Sequence, residues 1–155
     1  MLRPDLVERL VLSNTAMKIG VREDWMEGAT AARNEGFCRK KIEDSFQHLF
    51  SPDFCQPSPR FAELVARRLR LSVEGYVGCC QAIGHADLSK AVSRPAQPAL
   101  VIGTEDDVVT PRDIVEEFAA SLPNSEFQLI RGAGHLPCVD KPEEFAGLLV
   151  SFLDL

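Results

Sequence analysis

Two adjacent carboxylates, Asp106 and Asp107, and one imidazole, His135, are the groups in this sequence whose types and spacing could do chemistry. An imidazole, with an ordinary pKa of about 6.5, takes up a proton near neutral pH. A carboxylate on its other ring nitrogen fixes the tautomer and stabilises the imidazolium that forms. Acid and base so arranged are two members of a three-membered device for acyl transfer. The third, a serine on a sharp strand-to-helix turn, is missing, since no Gly-x-Ser-x-Gly occurs in the 155 residues. Ser13, in the Ser13-Asn14-Thr15 stretch that closes the first apolar run, reads as a turn or capping hydroxyl. His48 and His85 fall in helical stretches and read as surface or packing residues.

The elements that must position the acid and the imidazole are legible around them. Ala99-Leu100-Val101-Ile102-Gly103 is a short apolar run bounded by Pro98 and acids, the pattern of a buried parallel strand. The turn from Thr104 to Pro111 leads into a helix through Leu122, with Thr110 expected as N-cap and Pro111 at the first helical position. Pro123-Asn124 breaks that helix. A second strand, Phe127-Gln128-Leu129-Ile130, runs into Gly132-Ala133-Gly134-His135. Acid and histidine thus end successive parallel strands, on the carboxyl-end rim where open α/β sheets place their sites.

Residues 7–12 predict a further strand, its inner part buried on both faces. From Arg22 to Leu88 helical patterns take over, with helices expected near 23–34, 38–49, 60–71 and 74–83. An all-helical insert of that length is too long for a simple crossover and reads as a cap, which excludes water and shapes a pocket. The expected fold is α/β, with three parallel strands near 7–12, 99–104 and 126–131, flanking helices and a last helix from Pro142 to Leu153. Residues 1–20 and 89–155 form the core and 21–88 the cap.

Composition sets the outer bounds. The 155 residues, 45% of them hydrophobic, suffice for one domain with a core. A net charge of −6 argues against nucleic acid and anionic membrane surfaces as partners. Cys38, Cys55, Cys79, Cys80 and Cys138 show no metal-ligand spacing, and their odd number fits no complete disulfide framework. No apolar run approaches a membrane span and no signal peptide is visible, so a cytoplasmic location is expected.

Pro98-Ala99-Leu100-Val101-Ile102-Gly103-Thr104-Glu105-Asp106-Asp107-Val108-Val109-Thr110-Pro111 and Gly132-Ala133-Gly134-His135-Leu136-Pro137, with Lys141-Pro142-Glu143-Glu144-Phe145 behind them, resemble the last third of an α/β-hydrolase. Val7-Glu8-Arg9-Leu10-Val11-Leu12-Ser13-Asn14-Thr15-Ala16 and Glu74-Gly75-Tyr76-Val77-Gly78-Cys79-Cys80-Gln81-Ala82-Ile83 resemble, more narrowly, the 3-oxoadipate enol-lactonases. The resemblance spans nearly the whole chain but only the C-terminal portion of that family, after its nucleophile elbow. It implies a partial α/β-hydrolase fold and opening of a lactone to 3-oxoadipate in aromatic-acid breakdown, with His135 as base and Asp107 as its orienter. Asp107 has the family acid's spacing from Pro98 and Pro111, whereas counting from Gly103 selects Asp106.

Trp25 is the candidate to line a pocket for a small ring, with packing between helices as the alternative. Arg22, Arg33, Arg39, Lys40 and Lys41 would suit an anionic lactone or form solvated helix faces. The resemblance implies no cofactor and no metal, and a small lactone or ester as partner. Without the preceding strands of the family, the first strand is an exposed edge, so a complementary N-terminal half or self-association is expected. An inactive remnant that only binds, or another hydrolase of the superfamily (an esterase, a haloalkane or a peroxide-handling enzyme), are the alternative functions.

Overall fold

The computed structural model describes residues 3–89 and 95–155. Met1, Leu2 and residues 90–94, which fall within the expected core segments 1–20 and 89–155, lie outside the described residues. Three strands, β1 (Leu10–Ser13), β2 (Ala99–Thr104) and β3 (Ser125–Ile130), form one parallel sheet in the order β1-β2-β3. Leu10 stands opposite Ala99, and Ala99 opposite Ser125.

All six residues of β2 are buried, as a strand without apolar–polar alternation should be when both its faces are covered. Ala99 and Val101 pack on one side with Val115, Ala119 and Leu122 of and after helix α5 (Arg112–Ser121). Leu100 and Ile102 point to the other side, joining Ile130 and Ala133 under Phe145, Leu148, Leu149 and Phe152 of the last helix (Pro142–Leu153). β3 alternates half-buried and exposed residues until Ile130. Between β1 and β2 lie α1 (Arg22–Glu35), α2 (Arg39–Phe46), α3 (Pro59–Leu69) and α4 (Val73–His85). α1 and α4 meet through Ala29, Val77 and Cys80. α2 and α3 enclose a second core of Ile42, Phe46, Phe50 and Val65, in which Phe46 sits edge-on to Phe50 and Phe61 at 5.2 and 5.8 Å.

Three expectations are corrected. β1 begins at Leu10 rather than at residue 7, and its residues are only half-buried. The ladder opens where β2 opens, after Pro98, and Arg9 is drawn instead to the Phe152 carbonyl and Asp154 at the end of the last helix. With a single described strand beside it, β1 also lacks the second neighbour that would bury its outer edge. Thr110 is not the N-cap of α5: that place is taken by Pro111, with no side-chain cap, because the Thr110 hydroxyl is committed to Asp107. A further one-turn helix, α6 (Pro137–Asp140), precedes the last helix, which is α7. Among the described residues no helix is long and apolar enough to cross a membrane.

Candidate active site

The site is assembled from the C-terminal ends of all three strands. β1 is followed at once by Asn14, buried and held at a φ of 46°, a left-handed conformation that asparagine tolerates better than most residues. That turn directs its side chain across the sheet, where the Nδ2 group donates to Thr104 Oγ1 at 2.6 Å and to Asp107 Oδ2 at 2.8 Å. Ser13 Oγ donates to the Asn14 amide oxygen at 2.9 Å, which is the turn role expected of Ser13. Thr104, the last residue of β2, passes its own hydroxyl proton to the Gly134 carbonyl at 2.8 Å.

The two loops that carry the acids and the imidazole are tied together by backbone. Glu105 N–H donates to the Ile130 carbonyl, Asp106 N–H to that of Ala133, and Gly132 N–H to the Glu105 carboxylate. Gly132 sits at a φ of +59°, which only glycine adopts without strain. This stitching leaves Asp106 exposed and turns Asp107 inward, so the choice between the two acids is made by the fold: Asp107 Oδ2 lies 2.9 Å from His135 Nδ1. The Asp107 side chain is fully buried, while that of His135 remains 21% exposed. His135 Nε2 has no hydrogen-bond partner among the described residues.

Asp107 accepts five hydrogen bonds. Val109 N–H and Thr110 N–H reach Oδ1 at 2.7 and 3.0 Å, and Asn14, the Thr110 hydroxyl and His135 reach Oδ2. Burial by itself pushes this carboxyl up, but the bonds from His135, Thr110 and Asn14 outweigh it and bring the pKa down from 3.8 to about 2. A folded-state pKa below the unfolded one contributes stability that is fully present above the unfolded value and is lost as pH falls through the folded value. Asp107 should therefore contribute about 2 kcal/mol above pH 4, lost between about pH 4 and pH 2. Urea unfolding followed by circular dichroism checks this: the loss of stability from pH 5 to pH 2 should be smaller in Asp107→Asn by about that amount.

Chemically, a ring that commits its Nδ1–H to the ionised Asp107 presents the Nε2 lone pair as a proton acceptor. The helical insert bears directly on it. A Cβ on Gly134 would stand 2.6 Å from the Leu49 carbonyl oxygen and 2.7 Å from the Phe50 Cα, both backbone atoms. Gly134→Ala must force the His135 loop and the insert apart, and an overpacking cost of about 1–3 kcal/mol is expected in the same urea titration.

The remaining candidates are distributed through the insert. Trp25 donates its indole N–H to the Ile19 carbonyl at 2.7 Å and packs half-buried beside Ala29, Val77 and Cys80. Arg33 pairs with Glu74, Arg39 with Glu43 and Lys41 with Glu35. Arg68, which sequence reasoning did not single out, lies over the rings of Phe37 and Tyr76, 5.6 and 5.0 Å from their centroids, beside a cavity of about 220 Å³. Asn14 was also missed. Its signal was the position, an asparagine immediately after an apolar strand on the rim where the site lies. His48 and His85 are exposed.

Known proteins share this architecture. Residues 1–142 match the family described as alpha/beta hydrolase fold. The chain is 30% identical to 3-oxoadipate enol-lactonase 2 of Acinetobacter baylyi over 144 residues, which is 92% of this chain and 53% of that protein. It is 26% identical to the pimeloyl-[acyl-carrier protein] methyl ester esterase of Serratia marcescens, over 99% of this chain and 63% of the esterase. Among solved structures, the enol-lactonase from Burkholderia xenovorans superposes with a TM-score of 0.87 at 28% identity, covering 97% of this chain and 58% of that one. The chain thus spans between about half and two thirds of the length of these relatives. With the family pattern matched over most of its residues and three parallel strands meeting at an acid and a histidine, the chain belongs to the α/β-hydrolase fold family.

Proposed function

We propose that this chain supplies the acid and the base of a serine hydrolase that opens a small lactone of the 3-oxoadipate enol-lactone type, in aromatic-acid breakdown. The observation that carries the proposal is the 2.9 Å contact, at the rim of the sheet, between buried Asp107 and a His135 whose Nε2 has no hydrogen-bond partner among the described residues. The nucleophile and oxyanion donors come from residues outside these 155, in the same or a complementary polypeptide. The half-buried β1, with no second neighbour among the described residues, is the edge on which such strands would pair, and an unpartnered chain would self-associate through it.

In the assembled enzyme, His135 Nε2 takes the serine hydroxyl proton as the oxygen attacks the lactone carbonyl. The tetrahedral intermediate collapses with cleavage of the ring C–O bond, and the proton on Nε2 passes to the departing enol oxygen. The same nitrogen then activates water against the acyl-enzyme and returns its proton to serine. Asp107 remains ionised throughout. Helices α1–α4 act as the cap that keeps bulk water out, with Trp25 as the proposed face for the ring. A cytoplasmic location belongs to the same reading.

A methyl ester esterase is the second reading, favoured by the Serratia relative that matches 99% of this chain. The test is a substrate panel on the assembled enzyme, this chain joined to the nucleophile-bearing N-terminal half of a related lactonase. The lactone should be preferred over a pimeloyl methyl ester by at least about tenfold in kcat/KM, a difference of roughly 1.4 kcal/mol in transition-state binding. The reverse order identifies the esterase, and binding of both without turnover identifies a remnant.

A further inference from the structure

Asp140 closes the one-turn helix α6, five residues after His135, and its carboxylate is fully engaged by groups that no stability argument within α6 requires. Oδ2 accepts from Gly134 N–H at 2.8 Å and from Ser51 N–H at 2.7 Å, and Oδ1 accepts from the Ser51 hydroxyl at 2.6 Å. Gly134 immediately precedes His135. Ser51, only 4% exposed, belongs to the insert and is 89 residues away in sequence. One carboxylate therefore holds the insert and the peptide leading into the imidazole at the same time.

The surroundings make this junction tight. Gly134 also gives its carbonyl to the Thr104 hydroxyl, so both polar groups of that residue are fixed, one by the sheet and one by Asp140. Having no side chain, it lets the insert backbone at Leu49 and Phe50 lie against it. Leu136, just before α6, and Val139, within it, pack into the aromatic cluster of α2 and α3. If the insert lifts, Ser51 leaves Asp140 and the loop bearing His135 loses its apolar cover, and Asp140 keeps only its bond from Gly134 N–H.

We infer that Asp140 is a positioning residue that couples the seating of the helical insert to the aim of the His135 ring, so that the base is held on Asp107 only when the insert is closed over it. The inference rests on the reading of His135 as the base. A charged acceptor suits the junction because all three partners are donors, and charge-assisted hydrogen bonds hold geometry more strongly than neutral ones. The insert is thereby more than a wall of the pocket.

The test needs no turnover, so it separates failure of this coupling from failure of the hydrolase reading. In proton NMR of this chain, the His135 Nδ1–H shared with Asp107 gives a low-field resonance whose exchange with water reports how firmly the ring is held. Asp140→Ala should speed that exchange by about tenfold or more, while the amides of Leu100, Val101 and Ile102 in β2 exchange as before. Asp140→Asn, which keeps an oxygen for the two N–H donors and an amide that can donate to the Ser51 hydroxyl, should restore the rate to within about threefold of the parent. Should Asp140→Ala not fold, Ser51→Ala decides, with an expected increase of about fivefold or more. An unchanged rate in the folded variant, or an equal rise at the β2 amides, would overturn the inference and leave Asp140 a general stabiliser.

Discussion

His135→Ala should lower kcat of the proposed assembled enzyme on the order of 10⁴-fold or more, with KM for the lactone changed little. The magnitude follows from the concerted action of such groups: without a base, the serine hydroxyl is a weak nucleophile, and rate remains only from binding and the oxyanion donors. The ring is the sole imidazole at the strand ends, with Nδ1 held at 2.9 Å by Asp107 and Nε2 without a hydrogen-bond partner among the described residues. A continuous assay of lactone opening checks it. His48→Ala and His85→Ala, both at exposed positions of the insert, serve as controls and should stay within about twofold.

Asp107→Asn should cost on the order of 10⁴ in kcat as well, for a different reason. Every partner of the Asp107 carboxylate is a donor, whereas an amide offers one oxygen and one NH₂. The Val109 and Thr110 N–H groups claim the oxygen on the Oδ1 side, so the NH₂ falls where Oδ2 stood, facing Asn14, the Thr110 hydroxyl and His135 Nδ1. The ring can accept that bond only as the tautomer protonated on Nε2. It is then unable to take the serine proton. Asp106→Asn, at an exposed carboxylate one residue away, should change kcat by less than about threefold, and the contrast between neighbours is the sharper measurement.

The sequence made the sheet readable where burial is two-sided and obscured it where burial is not. Ala99 to Gly103 has no polar interruption, so its strand could be placed almost to the residue, whereas β3, which alternates half-buried and exposed residues, opens at Ser125, two residues before the Phe127–Ile130 run. Val7-Glu8-Arg9 runs directly into the apolar start of β1, yet Arg9 is taken by the end of α7, a contact made across 145 residues to Asp154 that no local pattern encodes. The four helices of the insert were visible by periodicity, with ends displaced by one to three residues, whereas α6 is one turn long and shows no period at all.

At the site, the contact of Asp107 with His135 could be anticipated from spacing and resemblance, but the choice over Asp106 depends on the backbone bond from Asp106 N–H to Ala133. Thr110 carried the composition of an N-cap and was diverted to Asp107. Asn14 read only as part of a turn and Asp140 drew no reading at all, and their partners lie 93 and 89 residues away. Such roles are long-range by nature, and only the folded chain brings their donors together.

The most direct measurement of the central claim compares lactone opening by this chain alone, by the chain joined to a serine-bearing N-terminal half, and by the joined form carrying His135→Ala. One oxyanion donor alone is worth on the order of 10² to 10³ in rate, and nucleophile and donors are both proposed to come from outside these 155 residues. The expected result is no measurable turnover by the chain alone, turnover on joining, and its loss in the variant. Turnover by the isolated chain that survives His135→Ala would contradict the account.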